Sequence, residues 1–422
     1  MRTTIDPGRL HRLSVVSFAA ILATSGCGSG HGGSGVNQNN QYHSPDNSTD
    51  FAYVASAGPT PGTAGAVYEY SVGVDGTLTP LAQPSIVAGI NPSSLAIVGN
   101  GLYVYVVNAG DGTISQFAVA IDATLTPLSP ATVTNPGMKT LGATGGAATV
   151  DPFGRYLYVA NTADDNIAQF SIGSGGQLTP LAPATVATGV APVSVVSSQV
   201  ASSGSPSYYV LNSGAVGAAG SVAQYTQRPD GTLTPADLTP VAAGTNPSVI
   251  ATGEFDTFAY VFSNCDGTNC LGSIRQFSVG TNGALTDTGN VVTTGTHTLG
   301  VAIAFGDEAD GSSGYVLTNA MGVDTESSSL SSYQIGSSGA LVATNPPSQN
   351  NPGRAVALVE NVQFGTLYVL TSNSGAVANT PATGGSLSIF AGQNGGAPTL
   401  LGTTALAAPY PTAVGVWVLL PP

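Results

Sequence analysis

From residue 51 to the end, apolar and polar positions alternate in short runs separated by Gly, Pro, Asn and Asp. Alternation over a few residues marks half-buried strands, and the intervening residues are turn formers. No window carries a 3.6-residue apolar period built from good helix formers. A Tyr-Val or closely similar pair recurs at Tyr53, Tyr105, Tyr158, Tyr209, Tyr260, Tyr315 and Tyr368, every 51–55 residues. Each is followed by a Gly-rich or polar loop and a run ending in an aromatic residue: Tyr70, Phe117, Phe170, Tyr225, Phe277, Tyr333 or Phe390. A turn-flanked leucine follows at Leu78, Leu125, Leu178, Leu233, Leu285, Leu341 and Leu400, and the first four read Leu-Thr-Pro. Small-residue apolar stretches such as 92–98, 192–196 and 247–251 precede the next Tyr-Val pair.

Each repeat therefore supplies four short strands, and one such unit cannot bury both of its faces alone. Radial stacking of seven units into a ring solves this and leaves only short edges exposed. A β-sandwich does not explain seven equal periods, and a β-helix needs a shorter one. The pattern predicts an all-β, seven-bladed β-propeller of four antiparallel strands per blade over residues 51–422. With strands lettered a to d from the channel outward, the Tyr-Val run is strand b. The first repeat begins at b, whereas residues 411–419 (PTAVGVWVL) have strand-a character with no b strand after them. The C-terminal strand is therefore expected to close the first blade.

The N-terminus reads differently. Arg2, Arg9 and Arg12 precede an 11-residue apolar run, 13–23, which is too short to span a bilayer but suits a signal peptide. It ends at Thr24-Ser25-Gly26-Cys27, which resembles a bacterial lipobox, although Thr24 stands where leucine is usual. The expected organisation is a lipoprotein-type signal over 1–26, lipidation at Cys27 and a flexible polar tether over 27–50. That places the propeller in the periplasm or at the cell surface, touching the membrane only through its lipid. In an exported chain Cys265 and Cys270, which flank a short polar turn, are expected to form a disulfide.

Composition narrows the partners. Of 422 residues only 7% are charged, with 8 Lys plus Arg against 22 Asp plus Glu and a net charge of −14. Such a chain repels nucleic acid and lacks the basic clusters that grip phosphate. No cofactor or metal site is read: the four histidines form no cluster, and Asp164-Asp165-Asn166 lacks full calcium-loop spacing. A monomer is expected.

Residues 155–181, with Tyr158-Val159-Ala160-Asn161, Ile167-Ala168-Gln169-Phe170 and Gly176-Gln177-Leu178-Thr179-Pro180-Leu181, resemble the lactonase family of propellers. That family includes 6-phosphogluconolactonases and muconate-cyclising enzymes, and the resemblance extends to all seven repeats. These are strand and turn elements, so they imply a fold more than an activity. The family often opens an inner strand with Pro-Arg-His; here the corresponding places read Pro92-Ser93-Ser94, Pro192-Val193-Ser194, Pro247-Ser248-Val249 and Pro352-Gly353-Arg354.

Strand topology puts the d–a and b–c loops on one face. The d–a loops carry Lys139, His297 and Arg354, and the b–c loops carry Asp111, Asp164, Asp165, Asp266, Asp324 and Glu326. Asp151, on an a–b turn of the other face, reads as a turn former. Two functions stay open. In one, the face binds a small polar ligand, a glycan or a protein, through residues such as Lys139, Asp164, Asp165, Asp266 and Glu326. In the other, the protein hydrolyses or cyclises an unphosphorylated sugar or aromatic lactone, with His297 as acid or base and Arg354 holding a carboxylate or carbonyl.

Overall fold

The computed structural model describes residues 49–419, apart from 74–76, 100, 142–146, 199–205, 216–217, 237, 253–256, 264–270, 297, 306–313, 322–326, 337, 353, 362–365, 373–384, 392–398 and 408–410. Among the described residues the strands form seven antiparallel sheets, each four strand positions deep. Six are uninterrupted; in the fourth the outermost position is split into Leu233–Pro235 and Val241–Thr245, both paired to Ala219–Gln227. The inner strands touch one another in succession, from Pro411–Leu419 through Pro92–Ile97 and on to Arg354–Asn361, and so close a ring. The chain is a β-propeller.

The expected closure is observed. Strand a of blade 1 is Pro411–Leu419, and it pairs with strand b, Thr49–Ser56, from Thr49 opposite Leu419 to Ser56 opposite Pro411. Strands c (Ala64–Val72) and d (Leu78–Ile90) complete that sheet. Strand b thus begins two residues before the expected boundary at 51, and residues 1–48 with the expected signal, Cys27 and most of the tether lie outside the described residues.

The core lies between blades rather than inside any one of them. Strand b alternates: Phe51, Tyr53 and Ala55 pack toward blade 2 with Leu95, Val104, Val106 and Phe117. Ala52 and Val54 pack toward blade 7 with Tyr368, Leu370 and Leu387. Among the described residues the sheets are covered on both faces, so strand-b residues are buried in succession after a first residue that is half-buried at Tyr103, Tyr156 and Phe258, which explains their nearly continuous apolar run. The outer strands Leu125–Thr134 and Leu178–Ala187 instead bury their first leucine and leave the rest exposed or half-buried, and their prolines blunt the free edge.

One polar device repeats at the seams. In the first five blades a strand-b tyrosine sits directly opposite a strand-c amide or acid: Tyr53–Glu69, Tyr105–Gln116, Tyr158–Gln169, Tyr209–Gln224 and Tyr260–Gln276. The tyrosine hydroxyl donates to a carbonyl in the next blade's c–d turn, namely Ala123, Gly176, Gly231, Gly283 or Gly339, at 2.6–2.8 Å. In four of these seams the strand-c side chain accepts the amide of the leucine two residues further on: Leu125, Leu178, Leu233 or Leu285. At the fifth, Gln276 instead donates to the Ser338 carbonyl. The Tyr-Val and Leu-Thr-Pro signatures are therefore the two halves of one interblade clamp.

Candidate functional site

The face formed by the d–a and b–c loops is built by backbone zippering. Asn91, Ala191 and Asn246, each just before the proline that opens an inner strand, take left-handed backbone with φ of 51°, 53° and 49°. This turns the neighbouring carbonyls toward the adjoining b–c loop. Asn91 and Ile90 accept from Ala109 and Gly110, and Ala191 and Val190 accept from Ser213 and Gly214, at 2.9–3.0 Å. Asparagines at the end of strand b brace the same crossovers. Asn108 accepts from the Gly89 amide and donates to Thr113 and Ser115, while Asn161 bonds Asn135 and Asn166.

Three carboxylates expected here are present, and each is engaged by protein donors. Asp111 accepts the Ile90 amide at 2.7 Å through one oxygen and the Thr113 amide and hydroxyl through the other. Asp164 accepts the amides of Lys139 and Thr140 at 2.8 and 3.0 Å, and the Thr140 hydroxyl at 2.9 Å. Partial burial raises its pKa, but these bonds and the nearby Lys139 charge outweigh that and hold it below the usual carboxylate value. Asp165, itself left-handed at φ 53°, accepts the Ala191 amide at 2.7 Å. The structure thus brings Lys139 to Asp164 through its backbone and leaves its side chain exposed.

Arg354 is the first residue of the inner strand of blade 7, opposite Ser372; its side chain lies outside the described residues. His297, Asp266, Asp324, Glu326, Cys265 and Cys270 lie outside them too. On the opposite face Asp151 behaves as a turn former: its carboxylate accepts the amides of Arg155 and Tyr156 and pairs with the Arg155 guanidinium, which lies over Phe153 and Tyr156.

Between the b–c loop of blade 1 and the d–a crossover into blade 2 lies a cavity of about 550 Å³. Ala57, Pro59, Thr60, Pro61, Ile90 and Asn91 line it, so its wall is largely apolar with backbone and hydroxyl groups at the rim. The cavity has no mark in the sequence, because a loop of Gly, Pro, Thr and Ala carries no chemical signature. Two buried hydroxyls, Thr162 Oγ1 in a b–c loop and Ser194 Oγ on an adjoining inner strand, have no protein partner. Among the described side chains the inner strands carry only apolar and hydroxyl groups, such as Ser94, whose Oγ accepts the Ala148 amide of the next inner strand. Among the described residues no three His, Cys, Asp or Glu side chains gather to hold a metal ion, and no helix is long and apolar enough to cross a membrane.

Residues 31–192 match the family described as "Lactonase, 7-bladed beta-propeller". No curated protein sequence matches the chain. Among solved structures, a putative 6-phosphogluconolactonase from Bacteroides uniformis is 16% identical, with a TM-score of 0.65 over 88% of this chain and 100% of the other. A putative 6-phosphogluconolactonase from Bacteroides fragilis is 17% identical, with a TM-score of 0.65 over 89% and 99%. The periplasmic gluconolactonase of Pseudomonas aeruginosa is 18% identical, with a TM-score of 0.58 over 88% and 100%. At these identities the likeness is one of fold. The chain is a β-propeller that resembles the lactonase family, by sequence across residues 31–192 and by fold across nearly its whole length.

Proposed function

We propose that this is an exported propeller, tethered to the membrane through Cys27, that binds an uncharged or weakly polar ligand, a glycan or a protein on its d–a/b–c face. The cavity bordered by Pro59, Pro61 and Ile90 carries the reading: about 550 Å³ is within the usual range for small-molecule sites. The unpartnered hydroxyls of Thr162 and Ser194 add groups that a bound water or ligand would satisfy. Asp111, Asp164 and Asp165 brace the loops of this face rather than act as a general base, since protein amides already hold their oxygens.

A second reading is a lactonase acting on an unphosphorylated substrate, favoured by the gluconolactonase and putative 6-phosphogluconolactonase that share its fold. In it His297 is the acid or base and Arg354 the electrostatic clamp. The purified protein is screened against sugar and aromatic lactones by pH release, and against glycans by calorimetry. Binding without turnover is expected. Rapid hydrolysis, cut about a hundredfold or more by His297→Ala and by Arg354→Ala, would overturn the binding reading.

A further inference from the structure

The seam between blades 1 and 2 differs chemically from those that follow it. At the clamp position blades 2 to 5 carry neutral glutamines, Gln116, Gln169, Gln224 and Gln276; blade 1 carries Glu69. Glu69 is fully buried. Its Oε2 accepts the Leu125 amide at 2.8 Å, as the glutamine oxygens do at Leu178 and Leu233. Gln116 and Gln169 use their own amide nitrogens to bond Pro130 and Pro183 in the outer strand of their own blade. A carboxylate has no such donor. In blade 1 the amide has moved to the outer strand instead, where Gln83 Nε2 reaches the Leu125 carbonyl at 3.1 Å and Glu69 Oε1 at 3.4 Å.

We infer that Glu69 makes the seam between blades 1 and 2 a proton-dependent latch, tight when its carboxyl is neutral and loosened when it ionises. Ionisation places a negative charge, with no counter-ion among the described residues, in an interblade layer with Phe51, Val104 and Phe117. The titratable groups facing Glu69 bring no compensation. Tyr53, opposite it on strand b, spends its hydroxyl on the Ala123 carbonyl, and Asp122 in the c–d turn of blade 2 is of the same sign. Tyr68 and Tyr70, its neighbours on strand c, pack toward blade 7. Burial pushes the Glu69 pKa up from 4.5 to about 7; the Leu125 and Gln83 bonds pull it down without cancelling that, and Asp122 adds to the rise. A carboxyl whose folded pKa is raised contributes stability that is complete below 4.5 and is lost as pH climbs to about 7.

The test is hydrogen exchange of the whole protein between pH 5 and pH 8, resolved by peptide and corrected for intrinsic rates. The segment holding the Leu125 amide should lose protection by roughly a hundredfold relative to those holding Leu178 and Leu233, the scale set over this pH range by a folded pKa of about 7 against 4.5. Glu69→Gln, which restores the residue of the neighbouring blades, should abolish that difference. Equal pH dependence at the three leucines in the parent protein, or a difference that survives in Glu69→Gln, overturns the latch.

Discussion

Two residues before the outer-strand leucine of blades 2 to 6 the backbone turns left-handed, and the residue there is Gly176, Gly231, Gly283 or Gly339 in blades 3 to 6 but Ala123 in blade 2. Glycine is demanded for two reasons: φ lies between 75° and 85°, and an aromatic ring or strand-b side chain of the preceding blade fills the space a methyl would need. At Gly231 that ring belongs to Tyr156. Gly231→Ala should therefore cost about 2 kcal/mol or more, from left-handed strain plus displacement of the ring. Ala123 is already accommodated beside Phe51 and is buried. Ala123→Gly should change stability by less than about 0.5 kcal/mol, because strain relief of about 1 kcal/mol is offset by losing a buried methyl of similar worth. Urea midpoints of both variants check the contrast; equal effects would show that the two turns are under the same constraint.

Among the strands, the closing one has the largest effect on the whole. Deleting residues 411–422 removes the inner strand of blade 1 and leaves Thr49–Ser56 without its partner. It also takes Val414 out of the layer shared with Tyr368 and Leu387. Eight lost pairings, at a net of about 0.5–1.5 kcal/mol per hydrogen bond, approach a total stability of about 5–15 kcal/mol. The truncated protein should melt at least about 10 °C lower, a shift that calorimetry reads directly. This closure was legible in the sequence because strand a and strand b have different textures, small-residue in 411–419 and Tyr-Val at 53. The clamp was legible only as spacing: Tyr158 and Leu233 stand out by period, and their joint purpose with Gln169 appears once blade 3 is laid on blade 4. The candidate face was hardest to read, because Asp111, Asp164 and Asp165 look the same in sequence whether they bind a ligand or hold the amides of Ile90, Thr140 and Ala191.

For the whole molecule, the proposed function depends on how the ring is held and which side it presents. Cys27→Ala should move the protein from the membrane to the soluble fraction, since two acyl chains anchor stably and a bare polar segment does not. Identical fractionation of parent and variant would remove the lipid from the proposal while leaving the propeller intact. The register of the closing strand has a consequence for orientation. Thr49 lies opposite Leu419 at one end of blade 1, whereas Ser56 leads at the other end into the loop that lines the cavity with Pro59 and Pro61. Thr49 therefore stands at the end of blade 1 remote from the cavity, with the full height of one strand between it and the cavity rim. A tether joined ahead of Thr49, as proposed, would meet the ring on the side opposite its cavity loops and leave those loops facing outward.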